Sequence, residues 1–354
     1  MPIFCSSVTL PIQVRIEEKL LDLVSKLMCE SNLLFARPLI VTMGNISHLA
    51  ERVRAGFENS PTVKRLHTEL IESNAYPEVE RIEGVIDEFK PDVLIGVGGG
   101  RVIDVSKFTA ARRMLPVVSV PTSLSNDGIS SPVAVIRFRK ESRSVGVNVP
   151  AAVLIDLEAD RSAPKQNLKS GVGDLLSNIS ATNDWISSYR KTHEHYDTVA
   201  ALLSRKSAFE MLDSKRVNFD DISFLQILAE GLVLSGIAMG IAGTSRPCSG
   251  SEHLLSHAYD ELYPDSPSLH GEQVAMFSVF TSYLQEEHSW SALADFLKRN
   301  ELISTPKDLG IDFDTFLKVL ELAPSTRPGR HTILDGVSEG KVKKAYSKAY
   351  SRSK

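Results

Sequence analysis

Three histidines and one aspartate occupy positions from which side chains can meet a cation. Glu252-His253-Leu254-Leu255-Ser256-His257 puts two imidazoles one turn apart on one face of a helix. Leu269-His270-Gly271-Glu272 puts a third at the start of another helix, and Ser170-Gly171-Val172-Gly173-Asp174 sets a carboxylate among small residues at the beginning of a helix. Asp174, His253 and His270 can offer one oxygen and two nitrogens to a divalent ion and leave a position open for substrate. Such an ion acts as a Lewis acid on a carbonyl or alkoxide. The helical pair is not the His-Glu-x-x-His of a zinc protease. The plainer alternative is that these histidines are satisfied core or surface groups, as His48, His67, His193, His195 and His288 read. Spacing alone leaves both readings open.

A second chemistry lies in Pro91-Asp-Val-Leu-Ile-Gly-Val-Gly98-Gly99-Gly100-Arg-Val-Ile-Asp104-Val-Ser-Lys107. An apolar run ends at three glycines and a helical pattern follows at once. A buried strand feeding a helix N-terminus lets a phosphate approach backbone N–H groups at the positive end of the helix dipole. One glycine would make a mere turn; three between a strand and a helix favour diphosphate binding. The run is neither G-x-G-x-x-G nor a Walker A loop.

The elements that must position these residues change character along the chain. Pro38–Met43, Val93–Val97, Val117–Val120 and Ala152–Asp156 read as buried strands, and Val63–Leu66 as a further one. Between them Glu17–Cys29, Ser47–Phe57, Val79–Glu88 and Arg101–Ala111 read as helices, and Val133–Arg139 with Ser144–Val149 as paired strands. That rhythm predicts a Rossmann-like α/β domain over 1–160, with a mostly parallel sheet and ligands at the carboxyl ends of its strands. From 161 to 354 the pattern is all-helical: Val172–Tyr189, Ile222–Ala242, Glu252–Leu262, Gln273–Glu286, Ala292–Arg299 and Phe313–Leu322. Lys341–Lys354 reads as an exposed helix end or frayed tail.

The chain has 354 residues and a formal net charge of −4, which gives no electrostatic footprint for nucleic acid. Cys5, Cys29 and Cys248 lack metal-type spacing and suit a reduced, cytoplasmic protein. No run of 18 or more apolar residues and no export signal is present, so no membrane span is expected.

Taken in order, Gly98-Gly99-Gly100-x-x-x-Asp104-x-x-Lys107, Pro121-Thr122-Ser123-Leu124-Ser125-Asn126-Asp127-Gly128, Gly173-Asp174, His253-x-x-x-His257 and His270-Gly271 resemble the iron-containing alcohol dehydrogenase and glycerol dehydrogenase superfamily, which also holds dehydroquinate synthase. The resemblance spans roughly residues 36–290 and implies the dehydroquinate synthase-like fold. Asp127–Pro132 and Arg327-Pro328-Gly329-Arg330-His331 through Asp335 look most like the sn-glycerol-1-phosphate dehydrogenases within it, and the Gly98–Lys107 pattern follows the dehydrogenase version rather than the synthase one.

The resemblance implies roles. Gly98, Gly99 and Gly100 would hold the diphosphate of NAD(P)H, Asp104 and Lys107 would support that loop, and Thr122, Ser123 and Ser125 would line the adenine and ribose channel. Asp127 would meet the substrate hydroxyl. Asp174, His253 and His270 would ligate one divalent metal, zinc before iron or nickel, with His257 beside it as a non-ligating imidazole. Arg327, Arg330 or His331 would meet a substrate phosphate, with exposed charges in a Pro-Gly loop as the equal alternative. The expected activity is reduction of a small keto-phosphate such as dihydroxyacetone phosphate. An unphosphorylated polyol dehydrogenase and a synthase without net redox are the alternatives, and a homo-oligomer is compatible. Two departures stand out: Leu124-Ser125-Asn126 differs from the usual small residues and His or Met, and Gly44-Asn45 lacks the carboxylate that grips an NAD ribose, which tilts the reading toward NADPH or use of both cofactors.

Overall fold

A computed structural model describes residues 9–139, 141–214 and 216–350. Two compact units emerge: Met1–Pro164 with Asp220–Gly243, and Lys165–Phe219 with Thr244–Lys354.

The first unit is built on strands β1 (Gln13–Glu17), β2 (Pro38–Met43), β3 (His67–Ile71), β4 (Val93–Gly98), β5 (Val117–Pro121) and β8 (Ala152–Asp156), with β6 (Val133–Phe138) and β7 (Glu141–Gly146) as a separate antiparallel pair. The six-stranded sheet is parallel, in the order β1-β8-β5-β4-β2-β3. Its helices are α1 (Val24–Glu30), α2 (Ser47–Glu58), α3 (Tyr76–Phe89), α4 (Gly100–Arg112) and α5 (Leu157–Arg161). Both faces are covered: Ile40, Val93, Ile95 and Val118 pack with Val24, Val53 and Phe57, while Leu39, Val41 and Leu94 pack with Val79, Ile82, Val102 and Val105. Burial on both faces is why the central strands read as continuous apolar runs.

The second unit contains α6 (Lys165–Thr192), α7 (Thr198–Asp213), α9 (Ser251–Leu262), α10 (His270–Leu284), α11 (Trp290–Arg299), α12 (Phe313–Leu322) and α13 (Glu339–Tyr350). The remaining long helix, α8 (Ile222–Ala242), clusters with the first unit although it lies within the helical part of the sequence. It is long and apolar enough to cross a membrane by length and composition, but most of its apolar window is buried. Ser130 donates to carbonyls of this helix, at Leu232 and Val233, and Gly236 leaves the room for that approach.

Several elements differ from the expectation. Gln13–Glu17 is a strand, and the helix expected from Glu17 starts only at Val24, after a 3-10 turn over Leu21–Leu23. The strand expected at Val63–Leu66 lies at His67–Ile71, and the second strand of the antiparallel pair lies at Glu141–Gly146 rather than Ser144–Val149. The tail forms helix α13, whose Val342, Ala345, Ala349 and Tyr350 are buried; residues 351–354 fall outside the described chain. Helix α7 had no counterpart in the sequence reading.

Candidate metal centre and phosphate-binding loop

In the first unit β4 ends at Gly98 and α4 begins at Gly100, with Gly99 as an N-cap that makes no side-chain capping bond. A glycine N-cap offers no side chain to the first backbone donors of the helix. None of the three glycines has a positive φ, so their role is room rather than left-handed backbone. A Cβ on Gly98 would lie 2.5 Å from Val102 Cγ2, whereas Gly99 and Gly100 have no neighbour closer than 3.4 Å to that position. Gly98 is needed for strand–helix packing, and Gly99 and Gly100 leave the surface over the helix start bare.

Around this loop polar residues lie at strand ends. Thr122 and Ser123 follow β5 and are buried, and Thr122 N–H donates to the Gly98 carbonyl at 3.1 Å. Asn45 sits in a 3-10 turn, Gly44–Ile46, directly after β2. A cavity of about 510 Å³ is lined by Asn45, His48, Arg52, Thr122, Glu158 and Arg161 among others. Glu158, from α5, is a carboxylate that the reading of Gly44-Asn45 overlooked, since nothing in sequence ties it to β2. The turn before Gly128 is made by Asn126, whose Oδ1 accepts from Gly128 N–H at 2.9 Å, and Asp127 opens a 3-10 turn behind it. Lys107 is buried and donates to the carbonyls of Gly128 (2.6 Å), Ser131 (3.0 Å) and Val133. Its ammonium thus fastens the segment that carries Asp127, 3.9 Å from Asp104. Burial pushes Asp104 up to about 7, opposed by the Lys107 charge.

In the second unit Asp174, His253 and His270 each offer a ligand atom, and these atoms lie within 4.8 Å of one another. Asp174 comes from the interior of α6, which begins at Lys165 and not beside Asp174 as expected, His253 from α9 and His270 from the first position of α10. The hydrogen bonds assign the ring tautomers. His253 Nδ1 lies 2.9 Å from Glu252 Oε1, an acceptor, so its N–H is there and Nε2 carries the lone pair. Ser256 gives its one hydroxyl hydrogen to Gln273 Oε1 at 2.6 Å and therefore accepts from His270 Nδ1 at 3.0 Å. The Gln273 amide is itself oriented by Nε2 donating to Asp260 at 2.8 Å. Both Nε2 atoms are left as bases. Burial, then the charges of Arg327 and Arg330, hold His253 down at about 3; burial, then His253 and Arg327, do the same for His270. Neutral imidazoles beside a buried carboxylate are the donor set of a divalent first-row cation, so the residues fit a metal. His257 lies alongside, its ring centre 5.7 Å from that of His270, and is likewise kept neutral by burial and its charged neighbours. Glu252, Ser256 and Gln273 escaped the sequence reading; the only hint was polar residues adjoining the two imidazoles on one helix.

Comparison with known proteins gives three concordant findings. Residues 15–164 match the iron-containing alcohol dehydrogenase family. The chain is 36% identical over 307 residues to a glycerol-1-phosphate dehydrogenase [NAD(P)+] of Saccharolobus islandicus, covering 86% of each, and 37% identical over 283 residues to that of Pyrococcus furiosus, covering 79% of this chain and 81% of the relative. In fold it is similar to a probable glycerol dehydrogenase from Sinorhizobium meliloti, with a TM-score of 0.78 and 22% identity over 99% of this chain and 100% of the other.

Proposed function

The chain belongs to the iron-containing alcohol dehydrogenase family, and from that premise we propose that it is a metal-dependent NAD(P)H oxidoreductase interconverting dihydroxyacetone phosphate and sn-glycerol 1-phosphate. The observation that carries the reading is the convergence of Asp174 with two imidazoles whose Nε2 atoms are bases, in a chain similar over most of its length to glycerol-1-phosphate dehydrogenases.

A divalent cation held by Asp174, His253 and His270 supplies Lewis acidity to a carbonyl oxygen, and a reduced nicotinamide supplies hydride. The protein's own residues do the rest. Gly98, Gly99, Gly100 and the start of α4 receive the diphosphate. Asn45, Thr122, Ser123 and Ser125 serve the ribose and adenine; the cavity offers Glu158 to a ribose hydroxyl and Arg52 and Arg161 to a 2′-phosphate, which supports use of both NADH and NADPH. Lys107 and Asp104 hold the segment that presents Asp127 to a substrate hydroxyl. His257, neutral, keeps its proton on Nδ1 while the Arg327 N–H addresses Nε2. We place the activity in the cytoplasm, in keeping with the sparse cysteines.

The test is oxidation of NADPH and NADH by metal-loaded protein against dihydroxyacetone phosphate, other keto-phosphates and unphosphorylated ketoses, with and without chelator. Steady cofactor oxidation with dihydroxyacetone phosphate, lost on chelation and restored by zinc or nickel, is the expected result. Product formation without net cofactor consumption would assign a synthase instead, and full activity in metal-stripped protein would remove the Lewis-acid role.

A further inference from the structure

Arg327, Arg330 and His331 follow α12, and the structure gives them different work. Arg330 donates to the Ser249 carbonyl at 2.6 Å and to Ser245 Oγ at 2.9 Å. His331 Nδ1 lies 2.7 Å from Asp335 Oδ2, and its carbonyl accepts from buried Arg246, itself paired with Glu194. Arg327 differs. It is part-buried, and among the described residues no carboxylate oxygen lies within 4.0 Å of its guanidinium. Among the described residues its guanidinium has one hydrogen-bonding neighbour, His257 Nε2, 3.4 Å from Nη2.

The backbone presents this side chain from a fixed turn. Arg330 N–H donates to the Arg327 carbonyl at 3.2 Å across Pro328 and Gly329, and Gly329 has φ +81°. Proline followed by a left-handed glycine is the pattern of a type II turn, stiff at both central residues. Withdrawing a guanidinium from water without an anion is costly, and a fork of N–H donors is matched by a phosphate. His257 neighbours both Arg327 and the imidazoles of His253 and His270, so a short phosphorylated chain with its carbonyl at the cation-binding side chains can bring its phosphate to the guanidinium.

We propose that Arg327 is the specificity residue that receives the substrate's phosphate, while Arg330 and His331 hold the turn that presents it. This rests on the keto-phosphate reading above. The experiment compares metal-loaded wild type, Arg327→Gln and Arg327→Lys with dihydroxyacetone phosphate and with dihydroxyacetone, alongside calorimetric titration of inorganic phosphate. In Arg327→Gln the preference in kcat/KM for the phosphorylated ketone falls by about 100-fold, chiefly through KM, and phosphate binding is lost. Arg327→Lys, which keeps charge but not the fork, falls between, and carries the test alone if the Gln variant does not fold. Unchanged preference, or equal loss with both ketones, overturns the proposal. A wild type that never prefers the phosphorylated ketone overturns the functional reading itself, whatever the variants do.

Discussion

Gly173 and Gly271 meet where α6 crosses α10, so closely that a Cβ on Gly173 would collide with the Gly271 carbonyl oxygen and one on Gly271 with the Ser170 carbonyl. Each glycine adjoins a candidate ligand, Asp174 and His270 respectively. The contact sets the spacing of two backbones and with it the distance between a carboxylate and an imidazole that must share one ion. Ser170 Oγ adds an acceptor for the Gly271 N–H at 3.2 Å.

Gly271→Ala should therefore weaken metal binding before it unfolds the protein. The added methyl has backbone on its far side, which cannot rotate away, so the helices must separate. Overpacking of this kind costs about 1–3 kcal/mol. Metal content per chain after dialysis and the thermal midpoint measure the two effects; full metal occupancy at a lowered midpoint would show that the ligands do not depend on this crossing.

Groups behind the ligands should matter in proportion to how they fix the rings. Glu252→Leu and Ser256→Ala remove the acceptors that keep the Nδ1 hydrogens of His253 and His270 in place. Each should lower zinc affinity by about 10- to 100-fold, while Asp174→Asn should abolish tight binding and leave circular dichroism unchanged. Competition against a chromogenic chelator gives the affinities. Wild-type affinity in both of the former variants would rule out the tautomer assignment.

The glycine triplet separates into two roles that mutation can distinguish. Gly98→Ala brings a methyl against Val102 and must displace the start of α4, so both stability and nucleotide affinity should drop. Gly99→Ala meets only Ser123 Cβ at 3.9 Å, so the fold should tolerate it while NAD(P)H binding suffers. Thermal melts paired with nicotinamide fluorescence titrations read both, and a Gly99→Ala protein that binds NADPH normally would place the diphosphate elsewhere.

The parallel sheet was legible wherever strands are buried on both faces, because β2, β4, β5 and β8 are apolar runs closed by Gly, Pro or Asp. The edge strands β1 and β3 were not, since each buries only one residue fully and looks polar in sequence. Helix α7 escaped because its buried face is largely Ala and Ser, which carry little hydrophobic signal, and α13 because four buried residues are diluted by lysines. The His253–His257 spacing was visible as helical periodicity. By contrast, what distinguishes Arg327 from Arg330 three residues away is which carbonyls and hydroxyls fold back on each, and no pattern in sequence encodes that.

Asp160 yields the last prediction, on stability rather than turnover. It lies in α5 with no exposed surface, and neither carboxylate oxygen has a hydrogen-bond partner among the described residues. Burial, then the neighbouring Asp156 charge, raises its pKa well above the ordinary 3.8. In the window above that ordinary value the folded chain binds a proton that the unfolded chain releases, so stability falls as pH rises until the raised value is passed. Asparagine has no proton to lose. Asp160→Asn should thus be more stable than wild type near neutral pH, by about a few degrees in thermal midpoint, with the gap closing as the pH is lowered toward 4. Melting both proteins from about pH 5 to 8 decides it: a gap that stays constant, or that widens on acidification, would mean that Asp160 is not held protonated by its surroundings.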